Sequence, residues 1–357
     1  MAKLLIVGGG GFIGSHTCLS LLESNHNLVV IDNFCNSSPI ALERVRTLAK
    51  IGKDSEYKFI VKKGDVRDRD FLELIFEESL KTKDPIQAVI HFAGLKSVKE
   101  SILKPIKYWD TNVLGTINLL KVMHQYECKI FVFSSSATIY GNSNTVPIPE
   151  NAPINPLNPY GNTKVAIEKI LFDIAGCNGT NEIRLPSKTG WRIARLRYFN
   201  PVGAHESGLI GEAPQGIPNN LFPYISEVAI GKRNFLKIYG NNWPTKDGTG
   251  VRDYVHVMDL AEGHCYALEN LLKADPQLLT LNLGTGKGYS VIEVIETCKE
   301  VTGLALKVDF VERRLGDPPI LIASPKKIMK ELQWRPVFSD LETIIRHAWR
   351  WYLKNSS

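Results

Sequence analysis

Lys3-Leu4-Leu5-Ile6-Val7-Gly8-Gly9-Gly10-Gly11-Phe12-Ile13-Gly14 is the stretch whose reading decides the fold. A short apolar run ends in a glycine cluster, and an apolar helical pattern with Cys18, Leu19, Leu21 and Leu22 follows. That order predicts a strand, a tight turn and a helix. Gly8, Gly11 and Gly14 give the spacing G-x-x-G-x-x-G. One glycine serves the turn, one lets backbone approach a pyrophosphate at the helix N-terminus, and one allows close helix–strand contact. Working outward, Leu28-Val29-Val30-Ile31 predicts a second strand ending at Asp32. A dinucleotide fold needs an acceptor for the adenosine ribose hydroxyls at that place. A carboxylate there repels a 2′-phosphate, so the reading is NAD rather than NADP. Alone, the glycine cluster would also suit a flexible loop; the two strands and the acid decide against that.

The α/β alternation continues along the chain. Phe59-Ile60-Val61 leads to Gly64-Asp65-Val66, where Asp65 is placed either to accept from an adenine amine or to cap a surface turn. Ala88 to Gly94 reads as a buried parallel strand whose small end leaves room for cofactor backbone. Lys96 follows, as a cation near a phenolate or phosphate, or as a solvated side chain. A long helical stretch is predicted from about Ser101, with Asn112 near its middle and its role open. Ile130-Phe131-Val132-Phe133 predicts the next strand, ending in Ser134-Ser135-Ser136-Ala137-Thr138. Ligands of open parallel sheets bind beyond the carboxyl ends of strands, which puts these serines in the glycine loop's crevice.

Asn158-Pro159-Tyr160-Gly161-Asn162-Thr163-Lys164 carries the chemistry. Asn158 is suited to cap a helix and Pro159 to its first turn, so Tyr160 and Lys164 stand one turn apart on one face. A phenol with a pKa of about 10 is a poor base at neutral pH, and lowering it by roughly three units takes about 4 kcal/mol. A fixed ammonium nearby, with a second cation, is a source of that stabilisation. Such a tyrosine takes a proton from a sugar or alcohol hydroxyl.

Residues 176–190 read as a polar surface insertion, and Ile193 to Arg197 as a further strand. Loops over 203–220 and 240–253 then lengthen. Residues 1–200 are thus expected to form a doubly wound, Rossmann-type parallel sheet, and 201–357 a smaller, partly interleaved α/β region that binds substrate. Leu281-Asn282-Leu283-Gly284-Thr285-Gly286 is a second strand-to-glycine turn, read as structural. Helical patterns from about Val291 and Asp340 finish the chain.

Over 357 residues, 44% hydrophobic content and 22% charge describe an ordinary globular protein. A net charge of +6 without a basic block favours an anionic small molecule over nucleic acid. Residues 1–9 do not form a signal peptide and no apolar run reaches transmembrane length, so no membrane role and a cytoplasmic location are expected. Six scattered cysteines without metal-ligand spacing read as reduced thiols, with no metal site.

Gly8 to Gly14, Asp32, Ser136 and the Tyr160/Lys164 pair, in this order, resemble the extended short-chain dehydrogenase/reductases. Longer stretches are similar to the UDP-glucose 4-epimerases of that superfamily: His91 to Lys96, Ser134 to Gly141, Arg197 to His205, Pro214 to Leu221 and Asp247 to Tyr254. Dehydratases of the same fold usually carry Thr-Asp-Glu where this chain has Ser136-Ala137-Thr138.

The resemblance implies NAD as cofactor and reversible interconversion of UDP-galactose and UDP-glucose. Tyr160 as phenolate takes the 4-hydroxyl proton while the C4 hydride moves to NAD⁺. Ser136 bonds the 4-oxygen, and Lys164 with the nicotinamide charge depresses the tyrosine. The 4-keto sugar then turns over and is reduced on its other face. Implied cofactor contacts are Gly8, Gly11, Phe12, Ile13, Gly14, Asp32, Asn33, Asp65, Val66, Phe92, Ala93, Gly94, Lys96, Asn112, Ser134, Tyr160, Lys164 and Tyr198. Implied substrate contacts are Lys96, Ser136, Tyr160, Phe199, Asn200, Asn220, Leu221, Tyr239, Arg252, Arg314, Asp317 and Leu321, with the two arginines suited to the diphosphate.

Leu321 falls where the family gates N-acetylated sugars, and leucine leaves that choice open. Gly10 replaces a small polar residue of many relatives. A homodimer through helices near 101–123 and 160–175 is also implied. Two other readings stay in view: a related epimerase for N-acetylhexosamine, pentose or uronate nucleotides, and a non-catalytic NAD-dependent regulator. A regulator would be free to lose Tyr160, Lys164 or Ser136, and all three are present.

Overall fold

A computed structural model describes residues 1–176, 184–216, 218, 220–314 and 316–355. Its strands in chain order are β1 (Lys3–Val7), β2 (Asn27–Asp32), β3 (Phe59–Lys63), β4 (Ile86–His91), β5 (Ile130–Ser136), β6 (Arg184–Pro186), β7 (Arg192–Tyr198), β8 (Asn200–Val202), β9 (Leu236–Tyr239), β10 (Val251–Arg252), β11 (Tyr254–His256), β12 (Gln277–Leu283), β13 (Tyr289–Ser290), β14 (Val308–Val311) and β15 (Ile320–Leu321). The main sheet runs β3-β2-β1-β4-β5-β7-β12-β6. Every pairing in it is parallel except the edge pair β6 and β12. This is the doubly wound α/β fold expected, with its switch point between β1 and β4, where such sheets open a ligand crevice.

Alternation along each strand divides the core. Leu4, Ile6, Leu28 and Val30 face one side, covered by α1 (Phe12–Glu23), α2 (Pro39–Leu48) and the later helix Val257–Lys273. Leu5, Val7, Val29 and Ile31 face the other. There α3 (Arg69–Lys81), α4 (Val98–Leu103), α5 (Pro105–Tyr108), α6 (Gly115–Gln125) and α7 (Pro159–Ile174) follow in turn, and α3, α6 and α7 supply the buried Leu72, Leu119 and Leu171. Burial on both faces explains why these strands read as unbroken apolar runs.

The later helices are α8 (Leu221–Ala229), α9 (Val257–Lys273), α10 (Val291–Thr302), α11 (Lys326–Glu331) and α12 (Leu341–Asn355). A separate core of Phe222, Ile225, Leu236, Ile238, Val294, Ile295 and Ile344 joins α8, α10 and α12 to β9. Short sheets β13-β10-β15, β11-β8 and β14-β9 complete this region.

Three features differ from the sequence expectations. The sheet reaches past residue 200 to take in β12, beside β7, and α9 packs on the same core as α1. Of the expected surface insertion, residues 177–183 lie outside the described residues, and 184–186 form edge strand β6 instead of a loop. The single long helix near 101–123 is divided: Pro105 opens α5, and Trp109–Leu114 widens into a π turn before α6. Among the described residues no helix is long and apolar enough to cross a membrane.

Candidate active site

The glycine loop joins β1 to α1, whose N-cap is Gly11 with no side-chain cap. An uncapped helix N-terminus presents unused N–H donors and partial positive charge, which suits a pyrophosphate. Gly8 has φ of +82°, and an added Cβ would stand 2.5 Å from the Ala93 nitrogen at the end of β4. At Gly14 a Cβ would meet the Gly8 carbonyl oxygen at 2.5 Å, so the loop and helix touch through backbone alone. Asp32 accepts from the Gly10 nitrogen, the Phe34 nitrogen and the Ser37 hydroxyl, each at 2.8 Å. A Cβ at Gly10 would crowd Asp32 Oδ2 at 3.0 Å, which gives the departure at that position a local reason.

Asp65 lies just past the end of β3. The Arg67 guanidinium beside it holds its carboxyl well below the usual range, and Asn33 donates to it at 2.8 Å. It braces Asn33 at the rim of the crevice. The switch point therefore offers a small-residue cradle, an uncapped helix end and a buried acid, and these fit a dinucleotide.

At the ends of β4 and β5, Asn112 is buried and fully engaged in the described structure. Its Oδ1 accepts from the Leu95 nitrogen at 2.8 Å, and its Nδ2 donates to the Leu95 carbonyl and Thr163 Oγ1, both at 3.1 Å. The π turn aims it there, so Asn112 clamps the Gly94–Lys96 turn to α7. A Cβ on Gly94 would lie 3.9 Å from Lys164 Nζ.

Asn158 caps α7 as expected, its side chain accepting from the Gly161 nitrogen at 2.9 Å, with Pro159 at the first turn. Lys164 is buried, donates to the Ser134 carbonyl at 2.7 Å and lies 4.8 Å from the Phe133 ring centre. Burial lowers its pKa to about 8, the Glu168 charge opposing the fall. Tyr160 is partly exposed, with Lys164 Nζ 5.9 Å from its ring centre. Burial pushes the phenol up, against a hydrogen bond from Ser136. Burial is thus the larger influence on the phenol, and Lys164 Nζ donates to the Ser134 carbonyl.

Lys96 ends the turn that Asn112 clamps. It is half exposed and pairs with Glu212 at 3.4 Å. Ser136 caps the short turn Ala137–Tyr140 and shares a short hydrogen bond with Thr138. Tyr198, beside Ser136 in the register of β5 and β7, bonds His264. His264 Nδ1 faces the Leu260 carbonyl at 2.8 Å, so that nitrogen carries the proton and the Tyr198 hydroxyl donates to Nε2.

The substrate candidates gather where the second region meets these strand ends. Asn200 and Arg252 lie on β8 and β10, and Arg252 is in register with Leu321 of β15. The buried carboxylate of Asp253 ties this corner together by accepting from the nitrogens of Thr285, Gly286 and Ala323. That makes the second glycine turn a structural anchor, as read. Arg252 approaches Asp317 at 3.9 Å, and Arg314 stacks 3.9 Å over the Tyr239 ring. Asn220 sits at the N-cap position of α8, next to Leu221, but its side chain donates to Glu212 and does not cap the helix. Phe199 and Leu321 pack with Ala137 and Tyr140.

A family model described as GDP-mannose 4,6 dehydratase matches residues 5–347. UDP-glucose 4-epimerase 2 of Arabidopsis thaliana is 47% identical over 99% of this chain and 96% of its own length. UDP-glucose 4-epimerase of Bacillus subtilis is also 47% identical, over 99% and 97%.

The chain belongs to the UDP-glucose 4-epimerase family.

A crystal structure of that epimerase from Bifidobacterium longum, in complex with NAD+ and UDP, superposes with TM-score 0.89 at 41% identity, covering 99% of both chains. Within the epimerase frame, sequence reasoning missed Glu212, Asp253, His264 and Glu168. Glu168 had a signal, since it follows Lys164 by one turn as Lys164 follows Tyr160. Asp253 directly follows Arg252 and Glu212 lies eight residues before Asn220, but neither spacing has a helical or strand period, and His264 meets Tyr198 across 66 residues.

Proposed function

We propose that the protein interconverts UDP-galactose and UDP-glucose through a 4-keto sugar, at the crevice between β1, β4 and β5. The row Tyr160, Lys164 and Ser136, set against a cradle that fits NAD, is the observation that carries this reading. Gly8, Gly11 to Gly14, Asp32 with Asn33, Ala93, Gly94 and Tyr198 would hold the cofactor. When bound, NAD supplies the hydride acceptor and donor for C4 and a positive charge beside the phenol.

Tyr160 removes the proton of the sugar 4-hydroxyl and later returns it, as a general base and then acid. Ser136 donates to the 4-oxygen, and Lys164 keeps an ammonium beside the phenolate. Arg252 and Arg314 hold the diphosphate, with Asn200, Asn220, Leu221, Tyr239 and Asp317 around the nucleotide. Binding energy then sits on the part of the substrate that does not react, leaving the sugar able to turn. Among the described residues the buried Asn200 Oδ1 has no partner, which favours a ligand donor at that point.

A homodimer accounts for exposed Ile102, Leu103, Ile106, Trp109 and Leu114 along α4 to the π turn. The described cysteines are free thiols, in keeping with a cytoplasmic protein. Chromatography of reactions started with UDP-galactose, UDP-N-acetylgalactosamine or UDP-xylose tests the substrate. Conversion of the first is expected; conversion of another substrate alone would move the assignment to a related epimerase and make Leu321 the residue to vary.

A further inference from the structure

Tyr160, Lys164 and Glu168 stand at four-residue intervals on α7, so they form one row along the helix. Glu168 is only 2% exposed. Its Oε1 accepts from Ser135 Oγ at 2.6 Å and Arg197 Nε at 2.9 Å, and its Oε2 from Arg197 Nη2 at 2.6 Å. Arg195 reaches the same residue, donating to its backbone carbonyl at 3.0 Å. Arg197 extends the network to the Tyr140 hydroxyl and the Glu150 carbonyl, both at 2.8 Å.

A buried ion pair of this kind adds little stability over well-packed apolar side chains, so stability alone gives a weak account of it. Its position supplies a better one. Ser135 lies between Ser134, whose carbonyl accepts from Lys164, and Ser136. Successive strand side chains point to opposite faces, so a clamp on Ser135 fixes both neighbours from behind.

We infer that Glu168 is a positioning residue for the reaction proposed above, on which the inference rests: its carboxylate ties Ser135 and Arg197 to α7 and serves Lys164 as a buried counter-charge. Facing Lys164 from α7 are Tyr160 and Glu168, from β4 His91, and from β5 the Phe133 ring and Ser134 carbonyl. Arg195 and Arg197 reach Glu168 from β7. His91 contributes no charge near neutrality, because burial and then Lys164 lower it to about 3. Burial alone would raise the Glu168 carboxyl, and the Arg197 and Arg195 charges overcome this and hold it at about 2. Glu168 is therefore the anion that opposes loss of the Lys164 proton.

The test is a carbon-13 NMR titration of Lys164 in the NAD-loaded protein, assigned with Lys164→Met, alongside the pH profile of kcat. In Glu168→Gln the Lys164 midpoint is expected to fall by about one pH unit or more. The alkaline limb of kcat should move down with it, while KM changes less than about threefold. A folded Glu168→Gln protein with an unmoved Lys164 midpoint would overturn the inference, whatever its turnover. If that variant does not fold, the wild-type carboxyl decides: Glu168 ionised down to acid pH supports the inference, and a carboxyl neutral at pH 6 contradicts it. These titrations do not require turnover, so an inactive wild type would count against the proposed reaction and leave the counter-charge tested separately.

Discussion

Tyr160 is a phenol that the protein by itself makes harder to ionise, and Lys164 is an ammonium that the protein makes easier to lose. Removing the Tyr160 hydroxyl while keeping the ring should therefore separate chemistry from folding. Tyr160→Phe is expected to lower kcat by about 10²–10⁴-fold, the usual range for a general acid–base group. Its thermal melt and retained NAD should match wild type, and an unchanged rate would rule out the proposed base. The Lys164 pKa of about 8 also has a sign that can be checked. Its folded value lies below the unfolded one, so the buried charge costs stability at neutral pH, and that cost relaxes as pH rises from about 8 to 10.4. Activity runs the other way, because the ammonium is lost over the same rise. We expect kcat to decline above about pH 8, and Lys164→Met to stabilise the fold while abolishing most turnover.

At the scale of elements, two local devices hold the site together, and both were legible. The Asn158 cap fixes the start of α7, and Asn158→Ala should cost about 1 kcal/mol in urea denaturation, with kcat reduced because Tyr160 lies in the first turn. Gly14→Ala places a methyl against the Gly8 carbonyl and should abolish NAD retention, read by absorbance of the cofactor released on denaturation. The glycine loop, Asp32 and the Tyr160/Lys164 row could be read because turn chemistry and helical period are local properties. The remaining arrangement depends on contacts without local period. Glu168 and Arg197 meet across 29 residues, Tyr198 and His264 across 66, and neither spacing carries a signal. The π turn that aims Asn112 was read as continuous helix, since widening by one residue leaves the apolar pattern nearly intact. Edge strand β6 was missed because it has only three residues and its partner β12 lies far along the chain. The Lys96–Glu212 pair was not legible for a related reason: its partners lie 116 residues apart.

Across the whole molecule, buried histidines should set the acid limit. Burial lowers His16 and His264 to about 4 and His91 and His256 to about 3. The folded form holds them neutral while the unfolded chain protonates them below about pH 6.5, so stability falls as pH falls from there. Each contributes roughly 1 kcal/mol per pH unit, and urea midpoints at pH 7.5 and 5.5 should show the loss. The exposed apolar stretch on α4 and α5 makes a second prediction at this scale. Ile106 is 82% exposed, and in the homodimer proposed above Ile106→Asp should give a monomer by light scattering without unfolding either copy. A proton NMR time course with UDP-galactose and no added NAD tests whether cradle, row and nucleotide corner act in one reaction. UDP-glucose should accumulate with wild type and not measurably with Tyr160→Phe. UDP-galactose left unchanged by wild type, even after NAD is supplied, would contradict the account.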